Sequence, residues 1–265
     1  MTGNWGIKKI GIVFFCISLF LIPACKSKAP HRLVQSDGAL RLYTEQAVIP
    51  LFSDASKNKN FLMTLTIDVP DLSEYALKAL IQNLLYDDLE PKVYFEQLVG
   101  FYESQYFEMR SVLEEYPDLP QGALNWTYLE TLETNFPIDP IMMISRSKEY
   151  YLGGAHGMRE SQYFVIHRKQ KKRLQLEDIV KPDGFPLVQE YIQEALRVFS
   201  GITPDAPLTK GGFFEDQASI PENFFLTSEG LGFHWNPYQI APYVMGHIEV
   251  LIPYKQLQGM LISLN

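Results

Sequence analysis

A glycine-rich segment with one histidine, EYYLGGAHGMRE at residues 149–160, holds the first residue types that could perform chemistry. As a general base, His156 would need a nucleophile or a metal ion within reach, and the sequence does not determine where such a partner lies. Gly153 and Gly154 permit positive φ, and Gly157 permits close approach of another backbone. The pattern therefore favours a sharp turn between two strands in which His156 bonds to main chain, with catalysis as the alternative.

A zinc site is the second chemical possibility. Its ligands would be His156, His234 and His247, with Glu249 as a further ligand, because His247 and Glu249 lie two residues apart on one strand face. The spacing matches no short zinc motif, and the chain has no closely spaced cysteine pair. We therefore expect neither a metal ion nor another cofactor.

The segment WNPYQIAPYVMG is the better candidate for recognition. Pro237 and Pro242 stiffen its backbone, and Trp235, Tyr238 and Tyr243 offer large amphipathic side chains at low entropic cost. Such a loop suits contact with a protein or stacking on sugar rings. Alternatively, the aromatic rings pack beneath the loop as a structural corner. The candidate binding surface combines these three aromatic residues with the glycine turn.

Hydrophobic periodicity predicts the elements that must position these residues. Residues 61–70 alternate as a half-buried strand that Pro70 ends. Ser73 is a candidate N-cap for a helix that runs to about Asp88, and Pro91 opens a second helix. The strands and the two helices predict the first half of a mixed fold.

The second half of the chain alternates mainly with a period of two. LNWTYLETLETNFP and IMMISRSKEYYLGG predict long antiparallel strands, and QYFVIHRKQKKRLQLEDIV predicts a hairpin with a basic tip. FPLVQEYIQEALRVFS predicts a helix, FFLTSEGLGFHW a hairpin that turns at Glu229-Gly230, and HIEVLIPY a strand before a short C-terminal helix. We predict an α+β fold of mostly antiparallel strands packed with two or three helices.

The N-terminal residues, MTGNWGIKKIGIVFFCISLFLIPAC, resemble a bacterial lipoprotein signal. Lys8 and Lys9 precede an apolar run over residues 10–22 that is too short to span a bilayer. Cys25 would become the lipidated first residue after cleavage, and residues 25–40 would form a polar tether. An ordinary secretory signal or an uncleaved anchor is the alternative. The sequence predicts an exported protein that is lipid-anchored to a bacterial membrane, in the periplasm or at the cell surface.

The charge balance limits the partners. The formal net charge is −8 for the whole chain, and it becomes −10 without the predicted signal, which holds two lysines and no acidic residue. An acidic protein is poorly suited to nucleic acid, because phosphate binding depends on a basic surface. A cationic protein is the better electrostatic match.

Three segments together resemble the RsiV-like domain of unknown function: YYLGGAHG, LQLEDIV and the run from Phe224 to Leu257. This domain occurs in the ectodomain of the anti-sigma factor RsiV, in the non-catalytic part of some peptidoglycan deacetylases and in bacterial lipoproteins. The hairpin at residues 167–173 lacks the glycine that family turns commonly carry. The resemblance implies an RsiV-like domain at 141–265, preceded by a smaller companion region at 41–140.

The resemblance also bears on function. It implies a non-enzymatic envelope protein whose candidate ligands are lysozyme-like proteins, which the RsiV ectodomain binds, or peptidoglycan. No catalytic residues are established for the domain, so none are transferred. The alternative is an envelope hydrolase that acts on glycan or peptide through His156.

Overall fold

The computed structural model describes residues 40–54, 59–72, 75–116 and 124–264. Over these ranges the chain is a mixed α+β protein with mostly antiparallel strands, which confirms the predicted fold class. The helices are α1 (Lys78–Tyr86), α2 (Pro91–Glu115) and α3 (Phe185–Ser200). The strands are β1 (Leu42–Asp54), β2 (Lys59–Pro70), β3 (Trp126–Asn135), β4 (Ile141–Tyr151), β5 (Met158–His167), β6 (Lys172–Arg173), β7 (Phe224–Leu226), β8 (Gly230–Trp235) and β9 (Ile248–Pro253).

Six strands form one sheet in the order β1-β2-β3-β4-β5-β6. Neighbouring strands are antiparallel except β2 and β3, which run parallel. A parallel pair requires a crossover connection, and α1 and α2 supply it between these two strands. The boundary predicted at residue 140 falls between β3 and β4, which pair with each other, so the sheet combines strands from both predicted regions.

The predicted strand and the two predicted helices of the first half all form, but α1 begins at Lys78, later than a cap at Ser73 would place it, because residues 75–77 are not helical. Strand β2 ends at Pro70, and its alternate residues from Phe61 to Val69 are buried. Helix α2 begins at Pro91, where a missing N–H costs no hydrogen bond, and continues without a break through Gly100. Helix α1 ends at Asp87, which adopts a left-handed conformation with φ of 49°. The predicted cap Ser73 lies outside the described residues.

Helices α1 and α2 cover one face of the large sheet. Ile81 and Leu85 of α1 pack with Met142 and Ile144 of β4, and Phe95 of α2 belongs to a second cluster with the buried residues of β2. Residues 141–144 are all buried, because alternate side chains of this strand point into cores on opposite faces of the sheet. The large sheet is thus the middle layer of the protein at β4.

The second sheet, β7-β8-β9, lies against the opposite face with helix α3. All six residues of β8 are buried, which indicates that both faces of this strand are covered. Val188, Ile192 and Leu196 form the apolar face of α3 and join the same core. The core therefore holds β8 on both faces, while the loop between β8 and β9 contains exposed residues such as Tyr238 and Val244.

One turn and the C-terminal segment have conformations that the sequence analysis did not predict. In the hairpin between β5 and β6, Lys171 takes a left-handed conformation with φ of 52°, which glycine adopts more readily than lysine. The prediction of a short C-terminal helix was wrong, because residues after Pro253 form turns and then a bridge between Leu261 and Val180. On the two sides of this bridge, Lys181 N–H donates to the Met260 carbonyl oxygen and Ile262 N–H donates to the Ile179 carbonyl oxygen, so these groups are not available for helical hydrogen bonds.

Residues 1–39, which include Cys25 and the predicted signal, lie outside the described part of the chain. Within the described ranges, none of the helices combines the length and apolar character that crossing a membrane requires.

Candidate functional site

The glycine turn and the tyrosine-rich loop meet in space. The imidazole of His156 stacks on the ring of Tyr243, with centroids 4.0 Å apart and an angle of 19° between the planes. The Tyr243 hydroxyl donates to the carbonyl oxygen of Gly157 at 2.8 Å, and His156 Nδ1 lies 2.9 Å from the same oxygen. Because a carbonyl oxygen only accepts, Nδ1 carries the proton in this contact. One carbonyl group therefore fixes both rings.

The glycines of the turn have conformations that other residues rarely adopt. Gly153 and Gly154 have φ of 83° and 92°, and the Tyr151 hydroxyl donates to the Gly154 carbonyl oxygen at 3.0 Å. A Cβ at Gly157 would lie 3.0 Å from the carbonyl oxygen of Tyr150. The glycines are thus required by the shape of the turn, as the sequence analysis predicted.

Tyr238 and Val244 extend the exposed part of this region. The Tyr238 ring is 50% exposed and its centroid lies 5.6 Å from that of Tyr243, while Val244 is 89% exposed. We call His156, Tyr238, Tyr243 and Val244 the aromatic surface. The sequence analysis missed Val244, since a lone valine in a loop carries no signal that it is exposed.

Trp235, which the sequence analysis placed on the same surface, is buried and only 3% exposed. It is the last residue of β8 and packs in the core with Phe233 and Ile248. This corrects its predicted place: Trp235 lies beneath the loop that carries Tyr238, because β8 is covered on both faces.

A separate polar cluster is centred on His234 and Glu249, which are cross-strand partners in β8 and β9. His234 Nδ1 lies 2.8 Å from Glu249 Oε1, and the Tyr163 hydroxyl donates to the same oxygen at 3.0 Å. The hydrogen bond from His234 is the main cause that lowers the pKa of Glu249, and the bond from Tyr163 adds to it. Burial and the Glu249 charge raise the pKa of Tyr163, so this hydroxyl stays protonated as a donor.

The other ring nitrogen of His234, Nε2, also contacts protein groups. His234 Nε2 lies 3.1 Å from Asn236 Oδ1 and 3.2 Å from His247 Nδ1. Burial, followed by the neighbouring His234, lowers the pKa of His247, which therefore favours its neutral form. Both nitrogens of His234 are engaged by protein groups, which leaves no free lone pair for a ligand.

The proposed zinc set does not form a recognisable metal site. Among the described residues, no three His, Cys, Asp or Glu side chains are arranged to hold a metal ion. His156 belongs to the aromatic surface, while His234 and His247 contact each other. The pairing of His234 with Glu249 escaped the sequence analysis, because it depends on the register of two strands.

Two asparagine side chains cover the free edge of β5. Asn236 accepts a hydrogen bond from the Ser161 N–H at 2.7 Å and donates to the Ser161 carbonyl oxygen at 3.1 Å. Asn223 donates to the same oxygen at 2.8 Å and accepts from the Tyr163 N–H at 2.9 Å. These amides replace a neighbouring strand, which satisfies the edge and protects it from pairing with another chain. The asparagine of the Asn-Pro-Tyr motif is therefore a structural residue.

The aromatic surface combines two fixed rings with exposed side chains. The carbonyl oxygen of Gly157, a neutral acceptor, orients the imidazole of His156. Together with the exposed side chains of Tyr238 and Val244, the rings of His156 and Tyr243 form an amphipathic patch.

The C-terminal sequence matches one family model. Residues 177–255, which are less than half of the chain, match the model described as "Protein of unknown function (DUF3298)".

Solved structures of two DUF3298 family proteins share the fold. The protein from Bacteroides fragilis NCTC 9343 has 22% sequence identity and a TM-score of 0.67, with 86% of this chain and 96% of that chain covered. The protein from Pseudomonas aeruginosa PAO1 has 20% identity and a TM-score of 0.59, with 85% and 95% covered. No curated protein matches the chain.

Proposed function

We propose that this chain is a lipid-anchored, non-enzymatic binding protein of the bacterial cell envelope, of the RsiV-like type. Its aromatic surface would bind a basic protein of the lysozyme class. The observation that carries the proposal is the stack of His156 on Tyr243, which the carbonyl group of Gly157 holds in place, with the exposed Tyr238 ring beside Tyr243.

Preorganisation is the physical argument for binding. Rigid aromatic residues with polar tips lose little conformational entropy on association and are enriched among the residues that dominate binding energy. The turn and the loop are joined to each other by hydrogen bonds, so little further ordering would be required. Val244, which follows Tyr243 in the chain, adds an apolar side chain that is 89% exposed.

Charge supports a basic partner over a neutral glycan. Residues 177–255, the DUF3298 segment, carry eleven acidic and four basic residues, a net charge of −7. An acidic domain attracts a cationic protein at long range and accelerates its association. The predicted export of the chain would bring it to the compartment where such proteins act.

The test is binding of the full chain to immobilised basic lysozyme, with sedimentation on purified peptidoglycan as a separate arm. Tyr238→Ala should weaken lysozyme binding about tenfold or more, as expected for an aromatic residue near the centre of an interface. Phe199→Ala is the matched control, since Phe199 is 45% exposed on α3 and Tyr238 is 50% exposed. We expect this control to bind within about twofold of the wild type.

Three outcomes would contradict the proposal. Equal loss in Tyr238→Ala and Phe199→Ala would remove the aromatic surface from the interface. Retention on peptidoglycan without binding to lysozyme would assign the surface to glycan. Release of soluble fragments from peptidoglycan, abolished by His156→Ala, would establish the hydrolase alternative.

A further inference from the structure

A polar cavity of about 570 Å³ lies beside the edge of β5, apart from the aromatic surface. Its floor comes from β4, β5 and β6, and its rim from residues 219–223 and 235–240. This volume falls in the range of roughly 300–1,000 Å³ that small-molecule sites occupy.

Three cationic side chains line the floor: Arg146, Lys148 and Arg173. The guanidinium groups of Arg146 and Arg173 lie 5.6 and 5.3 Å from the centroid of the Phe164 ring. One aromatic ring thus contacts both cations.

Hydrogen bonds fix Arg146 in this arrangement. It donates to the carbonyl oxygen of Leu85 at 2.9 Å and to Gln162 Oε1 at 2.8 Å. Both acceptors are neutral, so its charge is oriented but not compensated.

Carboxylates compensate part of the charge of these three cations. Neither Arg146 nor Arg173 forms an ion pair within the described ranges, and Lys148 Nζ lies 4.0 Å from the buried Glu130. The lining also includes Glu160, which accepts from the Tyr150 hydroxyl at 2.9 Å, and Glu222, which is exposed at the rim.

The pKa of Lys148 is lowered, first by burial and then by the charge of Arg146. An anion in the cavity would relieve this repulsion between like charges. Such a local cationic floor is notable in a chain with a net charge of −8.

We propose that this cavity binds a small organic oxyanion, a carboxylate or a phosphate ester carried on a hydroxyl-rich scaffold such as a sugar. Arg173 supplies a planar group that can bind two oxygens at once, and Lys148 supplies a point charge. The amides of Gln162 and Gln239 in the lining provide donors and acceptors for hydroxyl groups.

Isothermal titration calorimetry of the full chain with three matched sugars tests the proposal. Glucuronate carries a carboxylate, glucose 6-phosphate carries a phosphate ester, and glucose is neutral. We expect at least one of the two anions to bind about tenfold tighter than glucose, since charge-assisted bonds to arginine are the stronger ones. Preference for one anion over the other identifies which oxyanion the site takes.

Arg173→Gln should reduce the affinity for the preferred anion about tenfold, because no described residue depends on this guanidinium for a hydrogen bond. Lys171→Gln removes the same charge from the same hairpin outside the cavity lining and should bind within about twofold of the wild type. Tyr238→Ala should also leave the anion affinity unchanged, which separates this site from the aromatic surface. Equal binding of all three sugars, absence of binding, or full affinity in Arg173→Gln would overturn the proposal.

Discussion

Replacing Asn236 by alanine tests whether the edge of β5 depends on side-chain amides. The substitution removes the acceptor 2.7 Å from the Ser161 N–H and one of two donors to the Ser161 carbonyl oxygen. Asn223 still donates to that oxygen at 2.8 Å, so the N–H group alone loses its partner. Ser161 is only 8% exposed, which leaves this N–H group with little access to water.

The expected cost follows from that burial. A buried donor left without a partner costs about 1–3 kcal/mol, so Asn236→Ala should lower the free energy of unfolding by about 2 kcal/mol. For a chain of this size, that corresponds to a decrease in Tm of about 4–8 °C.

Urea unfolding followed by far-UV circular dichroism measures the cost, and hydrogen exchange of the Ser161 amide locates it. Asn125→Ala is the matched control: Asn125 Oδ1 also accepts from a backbone N–H, that of Leu62, but at 3.4 Å and in an exposed setting. Its cost should stay below about 0.5 kcal/mol. Equal costs for the two variants, or an unchanged exchange rate at Ser161 in Asn236→Ala, would refute the reasoning.

Three further predictions concern backbone and charge. Gly100→Ala should raise the free energy of unfolding by about 0.5–1 kcal/mol in the same urea assay. Gly100 lies within α2, and no atom lies within 4 Å of an added Cβ. A lower free energy of unfolding in this variant would contradict the prediction. Gly230→Ala should lower the free energy of unfolding by about 1–3 kcal/mol or more, since the added Cβ would collide with the backbone carbonyl of Ile252. Wild-type stability in this variant would show that β8 and β9 can move apart at little cost. The lowered pKa of His247 means that the unfolded chain binds more protons below pH 6.5, so wild-type stability should fall as pH decreases through that value. In urea titrations from pH 7 to pH 5, the free energy of unfolding of His247→Gln should fall less than that of the wild type. Glu249 should stabilise both proteins over this range, because its pKa is lowered below 4.5 and its contribution is lost only at lower pH. Parallel pH profiles of the two proteins would contradict the assignment to His247.

Local patterns predicted those elements whose burial repeats along the chain. The amphipathic segment FPLVQEYIQEALRVFS forms α3 over the predicted residues and ends at Gly201, whose φ is 69°. The alternation in residues 61–70 likewise gave the buried face of β2. In these cases the period of the apolar residues reflects one buried face, which a sequence displays directly.

Long-range contacts were beyond this reasoning. The pairing of His234 with Glu249 depends on strand register, and the amide bonds from Asn223 and Asn236 depend on how two layers pack. Trp235 lies in a motif rich in turn residues, so the sequence placed it in the loop, whereas the second sheet buries it. The aromatic surface was predicted in part, since the turn and Tyr243 do meet, but the identity of its ligand stays a prediction.

The parallel pairing of β2 with β3 has a consequence for synthesis of the protein. Strand β2 pairs on one side with β1, which directly precedes it in the chain. On its other side it pairs with β3, which begins at Trp126, opposite Met63. Ribosomes add about 5–20 residues per second, so roughly 3–13 s pass between the synthesis of Met63 in β2 and that of Trp126 in β3. During that interval the backbone N–H and C=O groups along this edge of β2 lack the strand that pairs with them in the folded protein. The rate of translation therefore sets how long this edge is open to pairing with another strand.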